Sequence, residues 1–417
     1  MIKSKKKKVF FDMVLNILST AIPTVILQLC ILPAIASYVS DEKYGLMVTI
    51  LAMLNVIPGT IGTTLNNIRL VYQEKYNEEK IIGDFHILLT IYEIINVLAI
   101  FIISWYYIGK FDFVNILLIA ITGVLWLGRE YHIVAFRIKL NYKAILWNNL
   151  FLILGYLIGY FIFKATGYWQ YIYILGIVIS YIYIYITSPI CAEPFMKTKF
   201  WKDVSKDSVQ LLIATFLARL INYADKLLLY PLLGGAMVSI YYVATIFGKV
   251  VSMAITPINS VALSYLAKMH KKPDYLFKWS YRIGIIVCAI GYLFAIIFSK
   301  PILKIIYPMY VDLAMPYIYI TSATICVNVL TSIITPFVLK FFAMKWQMLI
   351  NGVTTSCYVI ISVILLHFYG MTGFCVGALF ANIIKLLMTT FIYIFKNEKN
   401  DENINTSKTI ANKNIEM

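Results

Sequence analysis

Long, unbroken apolar runs separated by short polar connections fill almost the whole chain, and none of them shows a sustained every-second-residue alternation. Runs of about 20 residues fit α-helices that cross a bilayer. A membrane strand would instead read as about ten residues of alternating character. The runs predict twelve helices, at 9–36, 44–66, 84–108, 113–135, 144–164, 171–190, 207–230, 238–266, 279–299, 316–340, 347–367 and 373–395. The longest connections, near 67–83, 191–206 and 300–315, have no room for a folded domain. The expected fold class is all-α: a polytopic membrane protein with two six-helix lobes, 1–200 and 201–395, and a polar cytoplasmic tail, 396–417, that reads as disordered.

Composition sharpens this picture. Of 417 residues, 61% are apolar and 13% charged, against about 45–50% and 25% in soluble domains. A chain of this size cannot hide that much apolar surface from water, so a soluble enzyme is excluded, and so is a disordered chain. Lys3 and Lys5 to Lys8, the apolar run after them and Ala34-Ile35-Ala36 imitate a signal peptide. The run nevertheless has the length of a full span, and retention is expected. The six cysteines form no CxxC pair and no cluster with His, which speaks against disulfides and zinc.

The net charge of +16 must be read by location. With the N-terminus inside, 25 Lys and Arg fall in cytoplasmic segments and five (Lys43, Lys110, Lys164, Lys300 and Lys304) in external ones. This bias places both termini in the cytoplasm. It also assigns most of the positive charge to topology and anionic headgroups rather than to nucleic acid.

Comparing the halves reveals a weak repeat. Pro33, Tyr44 and Pro58 recur as Pro231, Tyr242 and Pro257 at nearly equal spacing, and an even number of helices per half makes such a repeat parallel. A proline inside a helix removes one backbone hydrogen bond, so Pro58, Pro257 and Pro336 are expected hinge points.

Six bases fall within spans: Arg129, Arg219, Lys226, Lys249, Arg282 and Lys385. A charge at mid-bilayer costs roughly 2.5–3.5 kcal/mol on insertion scales. Arg282 is near a helix end and can snorkel, whereas Lys249 is about 17 Å into its span, at 1.5 Å per residue. Arg219, Asn222 and Lys226 share one helix face. The acids available within spans are Glu93, Glu130 and Asp225, which leaves a cationic surplus. Arg219, Lys226, Lys249, Lys385 and Arg129 are therefore expected to line a cavity for an anionic substrate such as a phosphate or pyrophosphate. Glu93, Glu130 and Asp225 are the candidates for coupling to H+ or Na+. No GxxxxGK[ST] loop is present, so the chain is not expected to hydrolyse nucleotide by itself. Neither a metal nor another cofactor is called for, and the chemistry points to a transporter rather than an enzyme.

The stretch from Ala218-Arg219-Leu220 through Asp225-Lys226 to Leu229, followed by Leu233-Gly234-Gly235 and Tyr241-Tyr242-Val243-Ala244, resembles the Wzx-type polysaccharide flippases. Leu32-Pro33, Tyr44-Gly45, Pro301 and Ile306-Tyr307-Pro308 agree with it. These flippases belong to the MOP exporter superfamily, with the MATE drug exporters and lipid II flippases. The resemblance implies two lobes rocking about a central cavity in the bacterial cytoplasmic membrane. It implies a cargo of undecaprenyl-pyrophosphate-linked oligosaccharide repeat units for capsule or O-antigen, and a polysaccharide polymerase among the assembly partners. Two other readings stay open: a cation-coupled multidrug exporter of the MATE type, whose cationic drugs the surplus bases disfavour, and a membrane glycosyltransferase or polymerase.

Overall fold

The computed structural model describes residues 15, 19, 21–109, 112–248, 266, 269, 272–342 and 344–396. Helices account for the regular structure, and no strand occurs among the described residues. Eight helical segments there are long and apolar enough to cross a membrane. The chain is thus an all-α, multi-pass membrane protein.

The helices that matter for the site are α1 (Asp41–Val56), α2 (Pro58–Glu78), α3 (Phe85–Ile108), α4 (Phe113–His132), α5 (Tyr142–Thr166), α6 (Gln170–Thr187), α7 (Trp201–Leu233), α8 (Gly235–Ala244), α9 (Asp274–Ile306), α10 (Val311–Phe341) and α11 (Met344–Phe395). Their ends follow ordinary rules. The side chains of Asp112 and Asn141 accept from the backbone N–H three residues on, each at 3.1 Å. Gly109 and Gly167 close α3 and α5 in the left-handed conformation, at φ 66° and 79°. Gly370, at φ 57° and ψ −143°, interrupts α11 between the expected spans 347–367 and 373–395.

The distribution of side chains is that of a protein solvated by lipid. Along α3, Ile94, Leu98, Ile102 and Trp105 are exposed, while Tyr92, Asn96 and Ser104 are buried. Apolar groups thus face outward and polar groups inward, which is stable only against hydrocarbon.

The described helices form two compact units. One runs to Val243 and includes Ile305–Tyr310; the other holds the remainder. Helix α7 packs on α1 and α2 and belongs to the first unit. At Pro58 the helix is interrupted: α1 ends at Val56 and α2 begins at Pro58. The chain then stays helical to Glu78, twelve residues beyond the expected end of this span. Pro336 lies inside α10, which continues without interruption. Pro257 lies outside the described residues, as do Lys249, Lys110, His270, the first fourteen residues and the tail beyond Lys396.

Small residues set the closest approaches in the first unit. Gly155 and Gly159 of α5 form a GxxxG pair, and a Cβ on either would stand 2.5 Å from a Cα of α6, that of Gly176 or Ile172. Between α2 and α4, a Cβ on Gly62 would stand 2.7 Å from the Leu127 carbonyl oxygen. In the second unit the core is aromatic, with Phe277 stacked on Tyr393 at 3.7 Å between ring centroids.

Gly155→Val should therefore force α5 from α6 and destabilise the protein by about 1–3 kcal/mol. Gly291→Val, at an open position on α9 with nothing within 4 Å of its Cβ site, should cost less. Thermal unfolding of the two variants in detergent checks the difference.

Candidate functional site

Three helices of the first unit converge at the break between α1 and α2. Pro58 has no N–H, so the Leu54 carbonyl loses its helical partner. One residue on, the Asn55 carbonyl accepts Arg219 Nη1 of α7 at 3.0 Å. Arg219 Nη2 donates to Thr63 Oγ1 at 2.8 Å, and that hydroxyl donates to the Gly59 carbonyl at 2.7 Å. A Cβ on Gly59 would stand 2.6 Å from Arg219 Nη1 and 3.7 Å from Trp126 Nε1 of α4, so glycine here clears the space the guanidinium fills. Arg219, Thr63, Asn55 and Trp126 are all half-buried. The expected hinge and the expected cation thus meet at one point.

Arg129 is placed differently. It is 8% exposed and points into the bundle. Its Nε donates to Ser180 Oγ at 2.7 Å, and its Nη2 donates to the side-chain oxygens of Asn148 and Asn149 at 3.1 and 2.6 Å. The Glu130 carboxylate stands 3.6 Å from its Nη1. Ser180 and Asn148 also bond each other, so α4, α5 and α6 are tied by one dry network. Glu130 lies against α2, where Asn66 donates to its carbonyl at 2.8 Å.

Lys226 is 5% exposed and paired with its neighbour Asp225, whose carboxylate also accepts the Lys226 backbone N–H at 2.9 Å. Its ammonium stands 5.7 Å from the centre of the Tyr241 ring. Asn222, expected on the same face, is exposed. Glu93 of α3 is half-buried and accepts only from Asn96, at 3.2 Å, with no cation at ion-pair distance among the described residues. Lys385 of α11 is half-buried in the second unit, with no ion pair there among the described residues.

A second buried cluster escaped the sequence reading. Arg69, counted there as a loop charge, sits on α2 at 4% exposure, bonded to Glu193 at 2.7 Å, with its guanidinium 4.5 Å from the centre of the Phe85 ring. His86 Nδ1 donates to the Glu193 carbonyl at 2.8 Å. Burial pushes the Glu193 carboxyl above its ordinary range, and Arg69 opposes the shift. The signal was present: Leu65, Ile68, Tyr72 and Tyr76, all buried, continue the helical period past residue 66.

The two arginines should separate in their stability costs. Arg129→Gln leaves buried amide oxygens without donors and should cost about 3 kcal/mol or more. Arg219→Gln, where water can replace the lost bonds, should cost about 1 kcal/mol. Thermal unfolding of both variants in detergent checks the order.

No protein-family model and no curated protein matches the chain. Solved structures do. A lipid II flippase, MurJ, in an inward closed conformation, superposes with a TM-score of 0.67 at 14% identity, covering 92% of this chain and 86% of the other. An inward-facing multidrug resistance MATE family transporter of the MOP superfamily gives a TM-score of 0.61 at 12% identity over 91% of this chain and 98% of its own. The Vibrio cholerae MATE transporter VcmN in its bent form gives 0.59 at 16% identity, over 94% and 96%. The chain has the fold shared by these flippases and transporters.

Proposed function

We propose that the protein is a flippase that carries lipid-linked oligosaccharides with an anionic headgroup across the bacterial cytoplasmic membrane by alternating access. The expected cargo is an undecaprenyl-pyrophosphate-linked repeat unit for a surface polysaccharide. The observation that carries this reading is Arg219. Its full charge is held on α7 by two neutral oxygens, at 3.0 and 2.8 Å, with no carboxylate at ion-pair distance among the described residues. A half-buried cation compensated only by neutral dipoles favours an incoming anion. The MurJ likeness supports a lipid-linked cargo, and the surplus of bases disfavours a cationic drug.

Glu93 is the coupling carboxylate in this reading, because Asp225 is already paired with Lys226 and Glu130 stands by Arg129. It would exchange H+ or Na+ as the lobes rock. Both termini lie in the cytoplasm, as the 25-to-five distribution of basic residues favours.

Complementation of a flippase-null strain tests the function. The wild-type gene should restore surface glycan, and Arg219→Ala should reduce it by about tenfold, the loss expected for one charge-assisted hydrogen bond. Full glycan from Arg219→Ala rejects the cationic mechanism. Drug sensitivity on deletion with surface glycan intact would make the protein a multidrug exporter instead. Glu93→Gln should abolish the dependence of flipping on the ion gradient, measured in vesicles with and without an imposed gradient.

A further inference from the structure

The surroundings of Gly59 show more than a braced helix break. Two donors from different helices stand over this glycine, Arg219 Nη1 from α7 and Trp126 Nε1 from α4, at 2.6 and 3.7 Å from the place of a Cβ, with the Leu54 carbonyl oxygen at 3.5 Å. The indole N–H has no hydrogen-bond acceptor among the described residues. It is also held in place: Trp126 stacks on Tyr173 at 5.7 Å and 19°, and Tyr173 is itself wedged by Trp169 and Tyr156 at 5.8 and 5.7 Å. A half-buried donor in a fixed orientation has already lost its freedom before any ligand arrives. Glu130, one turn along α4, stands 3.6 Å from Arg129.

We propose that Trp126 and Arg219 together form a phosphate subsite over the bare backbone at Gly59, in which the indole N–H and the guanidinium donate to oxygens of one phosphate group. This rests on the flippase reading and assigns Trp126 and Gly59 to it. Arg219 supplies the charge, and Trp126 supplies the second donor and the direction. Gly59 leaves room for the guanidinium itself, because a methyl there would displace it. Thr63 holds Arg219 at the mouth of the subsite until the phosphate competes for it.

The same chemistry could come from a lipid headgroup or from free phosphate, so two probes are used with the full-length protein in detergent: farnesyl diphosphate and inorganic pyrophosphate, each titrated calorimetrically. Trp126→Phe keeps the ring on Tyr173 and deletes only the donor. It should weaken binding by about tenfold, and Gly59→Ala should do at least as much. The loss should appear with farnesyl diphosphate, and tighter binding of that probe than of pyrophosphate identifies the lipid-linked source. Equal binding of the two identifies a free-phosphate site, with the same two residues and the same losses. Wild-type affinity in Trp126→Phe overturns the subsite, while restored surface glycan with the wild-type gene and its loss in Arg219→Ala would still support the function. A wild-type protein that binds neither probe overturns both. Unfolding temperatures of the variants close to that of the wild type show that lost binding is local.

Discussion

In hydrocarbon a main-chain N–H or C=O that finds no partner within the protein finds none at all, at a cost of several kcal/mol for each group. This rule governs the described helices, and Pro58, one of the places where a helix cannot meet it by itself, is where the candidate chemistry sits. Elsewhere several threonines serve the rule. Thr49, Thr122, Thr331, Thr335 and Thr389 each return their hydroxyl to the carbonyl one turn back, at 2.7–2.9 Å, and so enter the membrane with no donor left over. At Pro58 the helix cannot satisfy itself, and a side chain from a third helix reaches in. A charged guanidinium braces the break because few other groups can span from α7 to α1 and α2 while keeping part of their surface wet.

Arg129 and Arg219 show why position decides role. Both are long cations on apolar helices, and nothing in their local sequence distinguishes them. Arg129 is enclosed by Ser180, Asn148, Asn149 and Glu130, and its donors are engaged on three helices. A ligand would have to displace a complete network in a dry interior, where each orphaned group costs about 1–3 kcal/mol. Arg219 has two neutral partners and partial access. There an anion gains a charge-assisted bond, and the protein loses only what water can replace. The expectation of one cavity lined by all the membrane bases therefore divides. Arg129 binds helices together, Lys226 is paired with Asp225, and Arg219 meets only neutral oxygens among the described residues.

Much of the fold was legible because the signal for it is large. Continuous apolar runs leave no alternative to helices, and a proline whose ring clashes with the preceding turn predicts a break wherever nothing overrides it, as at Pro58. Pro336, inside continuous α10, shows the same residue without interruption. The end of α2 was missed because hydropathy reports the membrane rather than the helix. The chain leaves the apolar run near residue 66 and continues helical for three more turns, buried against protein instead of lipid. Arg69 is lost from view by the same error, since a base beyond the run reads as a loop charge. Glu193 could not be found in any local pattern. It lies in a connector far along the sequence, and only the tertiary path brings it to Arg69.

Trp126 and Gly59 show the limit most clearly. On the sequence Trp126 is one more aromatic among 57 Tyr and Phe residues, of the kind that gathers in interfacial belts. Its stacking partner is 47 residues away and its neighbour Arg219 is 93 residues away. Glycine beside proline reads as part of a kink, and this one is, but it is also the only residue type that leaves room for the guanidinium. The same residue therefore loosens the helix and opens space for a cation beside a free donor. A site of this kind needs no motif, because its parts come from three helices and each part also has an ordinary structural reason to be there. What makes it a candidate site is the coincidence of an indole N–H with no acceptor among the described residues, a charge held only by neutral oxygens and a glycine without a side chain, all at a point where the helix has already surrendered a hydrogen bond.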